Sequence, residues 1–421
     1  MSQLDSAKNA ASADQLYFDI TVSNFKSTTT KPPIFYFNES RTLPFIRNPE
    51  EYYLSILRFT METGSIPVFI PSIQPNQGNK DKTIYSFTLE YTADFAGASG
   101  TTFTSTQEYI IFKPQDGGAD IPPPPNATSN GLQNNNTGYY DVYNYGWLIS
   151  LMNITVKAAF DDLISQLNAA PAADQPSFLA TALFPPFFEW DNTSNSVSFY
   201  SDFDVFGVNR YVGAGLTQPI KIYMNAPLFG LFPTLPCKYE GYTGVVNGKN
   251  FLFEPRNNGS YGNLVKISPY PTGAVPDYYA VITYQDSSTI ANFSPVLAIV
   301  FTSNTLPIQP NQVSTPLVFN NSQEVVLGGN NSDFANIITD LVSDTGQYKP
   351  NIVYNPSSEY RLITLYGNRP LFNIDLNIFY RNKFGQLIPY RINSGEAVSL
   401  KVAFLKKDAY RGKGGNTGNL A

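Results

Sequence analysis

The sequence predicts an all-β protein, a β-sandwich carrying loop-rich insertions and one short helical insertion. Three observations lead there. Of 421 residues only 14% are charged while 14% are aromatic, with 28 Tyr and 31 Phe, a bias toward strands. Turn formers are dense, with 32 Pro and 29 Gly, and they punctuate short runs in which apolar and polar residues alternate. A strong helical period occurs in one stretch alone. The chain is longer than one core usually supports, so one large domain with an elaborate insertion, or two domains, is expected.

Residues 1–13, rich in Ser, Ala, Asp and Asn, read as a flexible arm. Strands follow at 16–22, 34–37 and 52–60. In the last, Tyr52, Leu54, Ile56 and Arg58 face one way and Tyr53, Ser55, Leu57 and Phe59 the other. Both faces are largely apolar, which predicts a central strand covered on each side. At 84–91, Tyr85, Phe87, Leu89 and Tyr91 point inward while Ser86, Thr88 and Glu90 point outward, and 108–112 is expected to pair with it. Residues 115–138 hold Pro122, Pro123, Pro124 and Pro125 and then a polar Asn/Gly tract, the composition of an exposed loop.

Beyond that loop, Trp147, Leu148, Leu151, Met152, Val156, Phe160, Leu163, Ile164 and Leu167 recur mostly at intervals of three and four, predicting one or two amphipathic helices over 145–167. Residues 184–200 are expected to form a hairpin turning at 192–195, and 220–224 a further strand. The run 225–236 has too much proline for a helix interior and reads as a buried corner. The stretch 241–273 is loop-rich, with strands near 251–253 and 264–267. Alternation returns at 278–284 and 296–302, and 334–344 predicts a short helix.

Between 351 and 407, apolar runs at 352–354, 360–366, 372–380 and 398–404 are separated by turn formers such as Pro356, Gly367, Gly385 and Gly395. That is the pattern of consecutive antiparallel strands. In the third run Phe372, Ile374, Leu376, Ile378 and Tyr380 take the buried face, and Asn373, Asp375, Asn377 and Phe379 the mostly wet one. Residues 406–421 form a basic, Gly-rich tail in which Lys406, Lys407, Arg411 and Lys413 face the single acid Asp408. It reads as a disordered end or as a segment that contacts a neighbouring subunit.

The search for chemistry excludes more than it finds. A net charge of −6 provides no basic field for nucleic acid. Without any histidine, Ser-His-Asp and Cys-His machinery cannot be built, and metal sites lose their commonest ligand. No catalytic, cofactor-binding or metal-binding residue is therefore assigned. Cys237 stands alone, which rules out an internal disulfide and fits a reducing compartment. Beside Pro236 and Lys238 a lowered thiol pKa is conceivable, but a small apolar residue at a corner is the preferred reading.

The acidic neighbours Glu50 and Glu51, Asp161 and Asp162, and Asp202 and Asp204 read as solvated charge, since sequence neighbours seldom oppose each other across a cleft. The runs 328–331 and 412–415 lack the setting of a phosphate-binding loop and read as turn and tail. Sequons at Asn38, Asn126, Asn153, Asn192, Asn258 and Asn292 are read as chance in an Asn-rich chain. Residues 1–14 carry no apolar core of a signal peptide, and no run approaches about 18 apolar residues, so neither secretion nor a membrane span is expected.

Four blocks, in order, resemble counterparts in the penton (minor capsid) proteins of virophages and of polinton-like and adintovirus-like double-stranded DNA viruses. They are RTLPFIRNPEEYYLSILRF from Arg41, YYDVYNYGWLISLMN from Tyr139, IKIYMNAPLFGLF from Ile220, and closing strands containing YNPSSEYR, YRNKFGQLIP and SLKVAFLKK. Stretches 74–138 and 241–273 show no resemblance. The family likeness implies a single jelly-roll β-sandwich over 14–405, with insertions at about 74–138 and 241–273. The missing histidine and the lack of any metal or phosphate motif predict no enzyme and no cofactor, and the likeness implies a structural subunit of the virion, assembled inside the host cell. Homopentamers of it would close the five-fold vertices of an icosahedral shell, surrounded by double jelly-roll major capsid proteins. The helix at 145–167 departs from that scheme and leaves the strand count open. Two other readings stand beside it: a β-rich viral spike or receptor-binding protein recognising host-surface glycans, and a polysaccharide-active enzyme using Asp and Glu alone.

Overall fold

Two compact units, each built on its own hydrophobic core, make up the computed structural model of the chain: Met1–Pro67 with Pro295–Ala421, and Val68–Ser294. The structure describes residues 13–25, 32–74, 78–95, 97–115, 121–124, 133, 135, 137–180, 183–206, 219–253, 264–267, 278–313, 317–318, 325–326, 333–342, 351–354, 361–383 and 385–409.

The first unit opens with strands β1 (Gln15–Ser23), β2 (Tyr36–Ser40) and β3 (Tyr52–Glu62). The second holds β4 (Lys82–Thr92), β5 (Thr102–Thr104), β6 (Glu108–Ile111), helix α1 (Tyr145–Ala169), β7 (Phe187–Asp191), β8 (Ser196–Asp202) and β9 (Lys221–Met224). It continues with β10 (Cys237–Tyr239), β11 (Phe251–Phe253), β12 (Leu264–Ile267) and β13 (Tyr278–Tyr284). The chain then returns to the first unit through β14 (Val296–Thr302), β15 (Asn311–Val313), β16 (Leu317–Val318), β17 (Val325–Val326), β18 (Asp333–Ala335) and β19 (Ile337–Leu341). It closes with β20 (Asn351–Tyr354), β21 (Ile363–Thr364), β22 (Asn373–Asn382), β23 (Leu387–Pro389) and β24 (Ala397–Lys406).

In the first unit one sheet runs β1-β24-β3-β20, with β21 also on β3, and the other runs β19-β14-β22-β2, with β23 on β22. Counting the eight main strands in chain order, the sheets read first-eighth-third-sixth and fifth-fourth-seventh-second. That is the strand order of a jelly roll, whose Greek keys deal successive strands to two facing sheets. The inward side chains decide the packing. Val398, Leu400, Val402 and Phe404 of β24 are fully buried, each stabilising by about 1.5–3 kcal/mol. Phe59 of β3 meets Phe301 of β14 edge-on at 5.0 Å, tying sheet to sheet, while Phe18, Phe45 and Phe404 form a triangle of rings 5.2–5.8 Å apart. As expected, β3 is central, with β24 on one side and β20 and β21 on the other.

The second unit has a sheet β10-β11-β9-β4-β5, with β6 also on β4, and a sheet β12-β13-β8-β7. Rings bridge them: Phe87 lies 5.7 Å from Phe188 and Phe199 lies 4.2 Å from Phe253. The predicted period yields one helix rather than two. Asn144 caps α1 by accepting from the Gly146 N–H at 2.7 Å, and Leu148, Leu151, Met152, Val156, Leu163 and Leu167 bury its apolar stripe, which packs on β4, β6 and β7. Among the described residues, no helix is long and apolar enough to cross a membrane.

Several expectations hold in detail. The β4–β6 pairing has Ser86 opposite Tyr109, the β7–β8 hairpin turns through Asn195 at φ 50°, and Leu228, Leu231, Phe232 and Leu235 bury the Pro-rich corner. The tetraproline loop is open where described, with Pro123 and Pro124 exposed.

Other expectations differ. The helix expected over 334–344 is replaced by β18 and β19, because Ile337, Ile338 and Thr339 are β-branched and find an open edge on β14. The closing strands are not a run of neighbours: β20 and β24 lie in one sheet and β22 in the other, though YRNKFGQLIP does form the β22–β23 hairpin. Ser86 and Thr88, expected outward and wet, are buried, since Ser86 accepts from Gln107 and Thr88 donates to the Asn247 carbonyl. Stretches 74–138 and 241–273, expected as separate insertions, both fall in Val68–Ser294. The physical reason is that β4 and β11 share a sheet through β9, so these stretches help build one second core.

Candidate functional site

The residues singled out for chemistry are scattered, and several have a local structural partner. Cys237 opens edge strand β10 opposite Phe253 and packs on the second core, the apolar corner preferred from the sequence. Asp161 pairs with Lys157 one helical turn away on the exposed side of α1. Burial pulls the Asp162 carboxyl upward, but hydrogen bonds from Thr106 and Gln166 outweigh it and hold the group below its usual range.

Asp202 is buried in β8 and accepts from the Phe184 N–H at 3.2 Å; the Asp204 side chain lies outside what is described. Glu51 accepts from Asn48 Nδ2 at 2.9 Å and lies 3.8 Å from Lys406 Nζ. The Asp162 carboxylate lies near another acid, Glu108, whose pKa is raised by burial and then by that neighbouring charge. Among the described residues, no three His, Cys, Asp or Glu side chains converge as a metal site. Of the sequons, Asn153 is committed to both backbone groups of Phe188, and Asn126 and Asn258 lie outside the described residues, as do the glycine runs 328–331 and 412–415.

Asp375 carries a role that the sequence hides. Alternation puts it on the wet face of β22, yet it is fully buried, because the turn after β14 folds over it. It accepts from Ser303 Oγ at 2.6 Å, Thr305 Oγ1 at 2.6 Å, and the N–H groups of Asn304 and Thr305 at 3.0 and 2.9 Å. Burial alone would raise its pKa, but these donors more than compensate and hold it below the usual carboxylate range.

The turn so fixed forms one wall of an open groove of about 490 Å³ at the end of the jelly roll where β3 begins. The opposite wall is the 366–373 segment between β21 and β22, with Tyr366 and Phe372 half-exposed. Tyr366 is held by its N–H donating to the Pro307 carbonyl at 2.9 Å, and the Gly367 carbonyl accepts from the Glu50 N–H at 3.2 Å. Arg369 is exposed at the rim, and among the described residues no carboxylate pairs with it. Alternation counts Phe372 as core and so misses this surface. Its exposure follows from its place before β22 begins, where the pleat no longer fixes its direction.

The described chain ends lie at this same end of the fold. Lys406 N–H donates to the Asp14 carbonyl at 2.8 Å, Tyr52 Oη donates to the Ala13 carbonyl at 2.9 Å, and Lys407 Nζ donates to the Glu50 carbonyl at 2.6 Å. Burial, with Glu51 and Asp14 close by, pushes the Tyr52 phenol up and keeps it a neutral donor.

The first unit is thus a jelly roll whose chain is interrupted between β3 and β14 by the second unit. The chain belongs to the family of the Sputnik minor capsid protein V18/19, whose model matches residues 16–406. It is a structural component of a virion capsid. Two Sputnik virophage proteins are similar in sequence: V18 is 31% identical over 179 residues, 42% of this chain and 99% of V18. Structural protein V19 is 28% identical over 201 residues, 47% of this chain and 86% of V19. Among solved structures, a chain of the Sputnik virophage particle superposes with a TM-score of 0.72 at 26% identity, over 94% of this chain and 99% of that one. The mavirus penton protein superposes at 0.54 with 12% identity over 93% and 99%, a likeness of fold. The resemblance to virophage penton proteins read from the four sequence blocks is thus borne out.

Proposed function

We propose that this chain is the penton of its capsid, a homopentamer that closes the five-fold vertices and is surrounded by double jelly-roll major capsid proteins. The observation that carries the reading is the eight-stranded order of the first unit, together with a fold shared with the mavirus penton protein. A closed ring needs two different flanks on each subunit. The sheet β1-β24-β3-β20 supplies them, with β1 at one edge and β20 at the other.

In this reading the jelly roll spans residues 14–405 and carries 68–294 as its elaboration, including 74–138 and 241–273, on the outer vertex surface. Exposure of Pro123 and Pro124 favours that placement. The arm 1–13 and the basic tail 406–421 lie on the inner side and reach toward neighbours. The chain needs no cofactor or metal, and no residue acts catalytically. Truncation tests the roles of the ends: deleting residues before Asp14 or after Lys407 should weaken ring or shell assembly while leaving thermal unfolding nearly unchanged. Truncated chains that assemble like the full chain would remove those roles.

A receptor-binding role has one observation in its favour. Tyr239 and Tyr242 are exposed at the edge of the second unit, with rings 5.1 Å apart and tilted by 54°. Loss of cell attachment on changing both to Ala, with virions otherwise intact, would support it.

A further inference from the structure

The groove and the start of the described chain lie at one end of the jelly roll but on different flanks of one sheet. Ala13 is fixed by Tyr52 beside edge strand β1, while Leu365, one residue from Tyr366, donates to the Tyr52 carbonyl on the β21 side of β3 at 3.3 Å. From β1 across β24 and β3 to β21 is three strand spacings, about 14 Å. A head-to-tail ring contact joins two such different flanks.

The chemistry of groove and arm is complementary. The groove offers the half-exposed rings of Tyr366 and Phe372 and the exposed guanidinium of Arg369, which no carboxylate pairs among the described residues. In residues 1–12, MSQLDSAKNAAS, the single acid Asp5 stands next to the branched apolar Leu4 and three residues before the single base Lys8, so that any match to Arg369 is local to Asp5. The eight steps from Asp5 to Ala13 span up to about 28 Å when extended, about twice the separation of the two flanks. The tail beyond Asp408 carries Arg411 and Lys413 and no acid, so it would meet Arg369 with like charge.

We propose that residues Leu4 and Asp5 of one copy dock in the groove of the next, with Leu4 between Tyr366 and Phe372 and Asp5 on Arg369. The contact rests on the ring proposed above and names the surfaces that close it.

The test mixes two full-length chains in a Cys237→Ser background, one carrying Asp5→Cys and the other Arg369→Cys. Particle mass is followed by light scattering before oxidation with diamide. Disulfide-linked pairs are expected from the mixture and not from either chain alone. Separately, Arg369→Glu should raise the concentration at which rings dissociate by up to about fivefold, with recovery on adding Asp5→Lys and no change in thermal unfolding. Rings that form without the mixed link overturn the docking and leave the ring standing, whereas particles that are not rings overturn both. A link that forms only when both substitutions share one chain, or one that Lys413→Cys makes in place of Asp5→Cys, also overturns the contact between copies.

Discussion

At the scale of residues, two carboxylates, Asp375 fully buried and Asp141 half-buried, pull stability in opposite directions with pH. Asp375 sits at the centre of four donors from the Ser303–Thr305 turn. Asp375→Ala would strand them and should destabilise by about 3 kcal/mol in denaturant unfolding. Because its pKa is depressed by folding, its contribution is present above about pH 4 and is lost as pH falls through the folded value. Asp141, in the second unit, is the reverse. Burial raises it to about 6, with the Tyr143 hydroxyl only partly offsetting this. The folded state then favours the protonated acid, so stability is full below about pH 4 and falls as pH rises through 6. Asp141→Asn should remove that fall and stabilise at pH 7.5. The side chain keeps some exposure, so the gain is set at about 1 kcal/mol, below what the shift alone would give. Unfolding of wild type and Asp141→Asn between pH 4 and 8 checks the sign; parallel curves would refute it.

At the scale of elements, α1 depends on its first turn and its stripe. Asn144→Ala should cost about 1 kcal/mol through loss of the cap to Gly146, and Leu163→Ala about 2–5 kcal/mol because the side chain is fully buried; urea midpoints would measure both. This helix was legible because nine apolar residues mark one face, and β3 because both its faces are apolar. The strands at 333–341 were not, since Phe334, Ile337, Ile338 and Leu341 also satisfy a helical spacing and the edge of β14 decides between the two. Asp375 and Phe372 were misplaced for a related reason. Alternation reports the pleat but not the Ser303–Thr305 turn that covers one residue, nor the end of pairing that frees the other. The groove itself joins segments 305–307 and 366–373, and no local pattern announces that they meet.

At the scale of the whole molecule, sequence blocks conveyed the family while composition conveyed only an all-β chain. Length alone allowed two domains, but the boundaries of the two units were hidden, because no local pattern shows that the strands at 82–92 and 251–253 join one sheet through 221–224. A net charge of −6 leads us to expect no retention of DNA at physiological salt in a mobility-shift assay. The central claim is the five-fold ring. Multi-angle light scattering of the purified full-length chain, with electron microscopy of the same fraction, tests it most directly. The account predicts a mass five times the 46.6 kDa of one chain and rings of five-fold symmetry. A particle that stays monomeric or trimeric, both alone and within the mature shell, would contradict it.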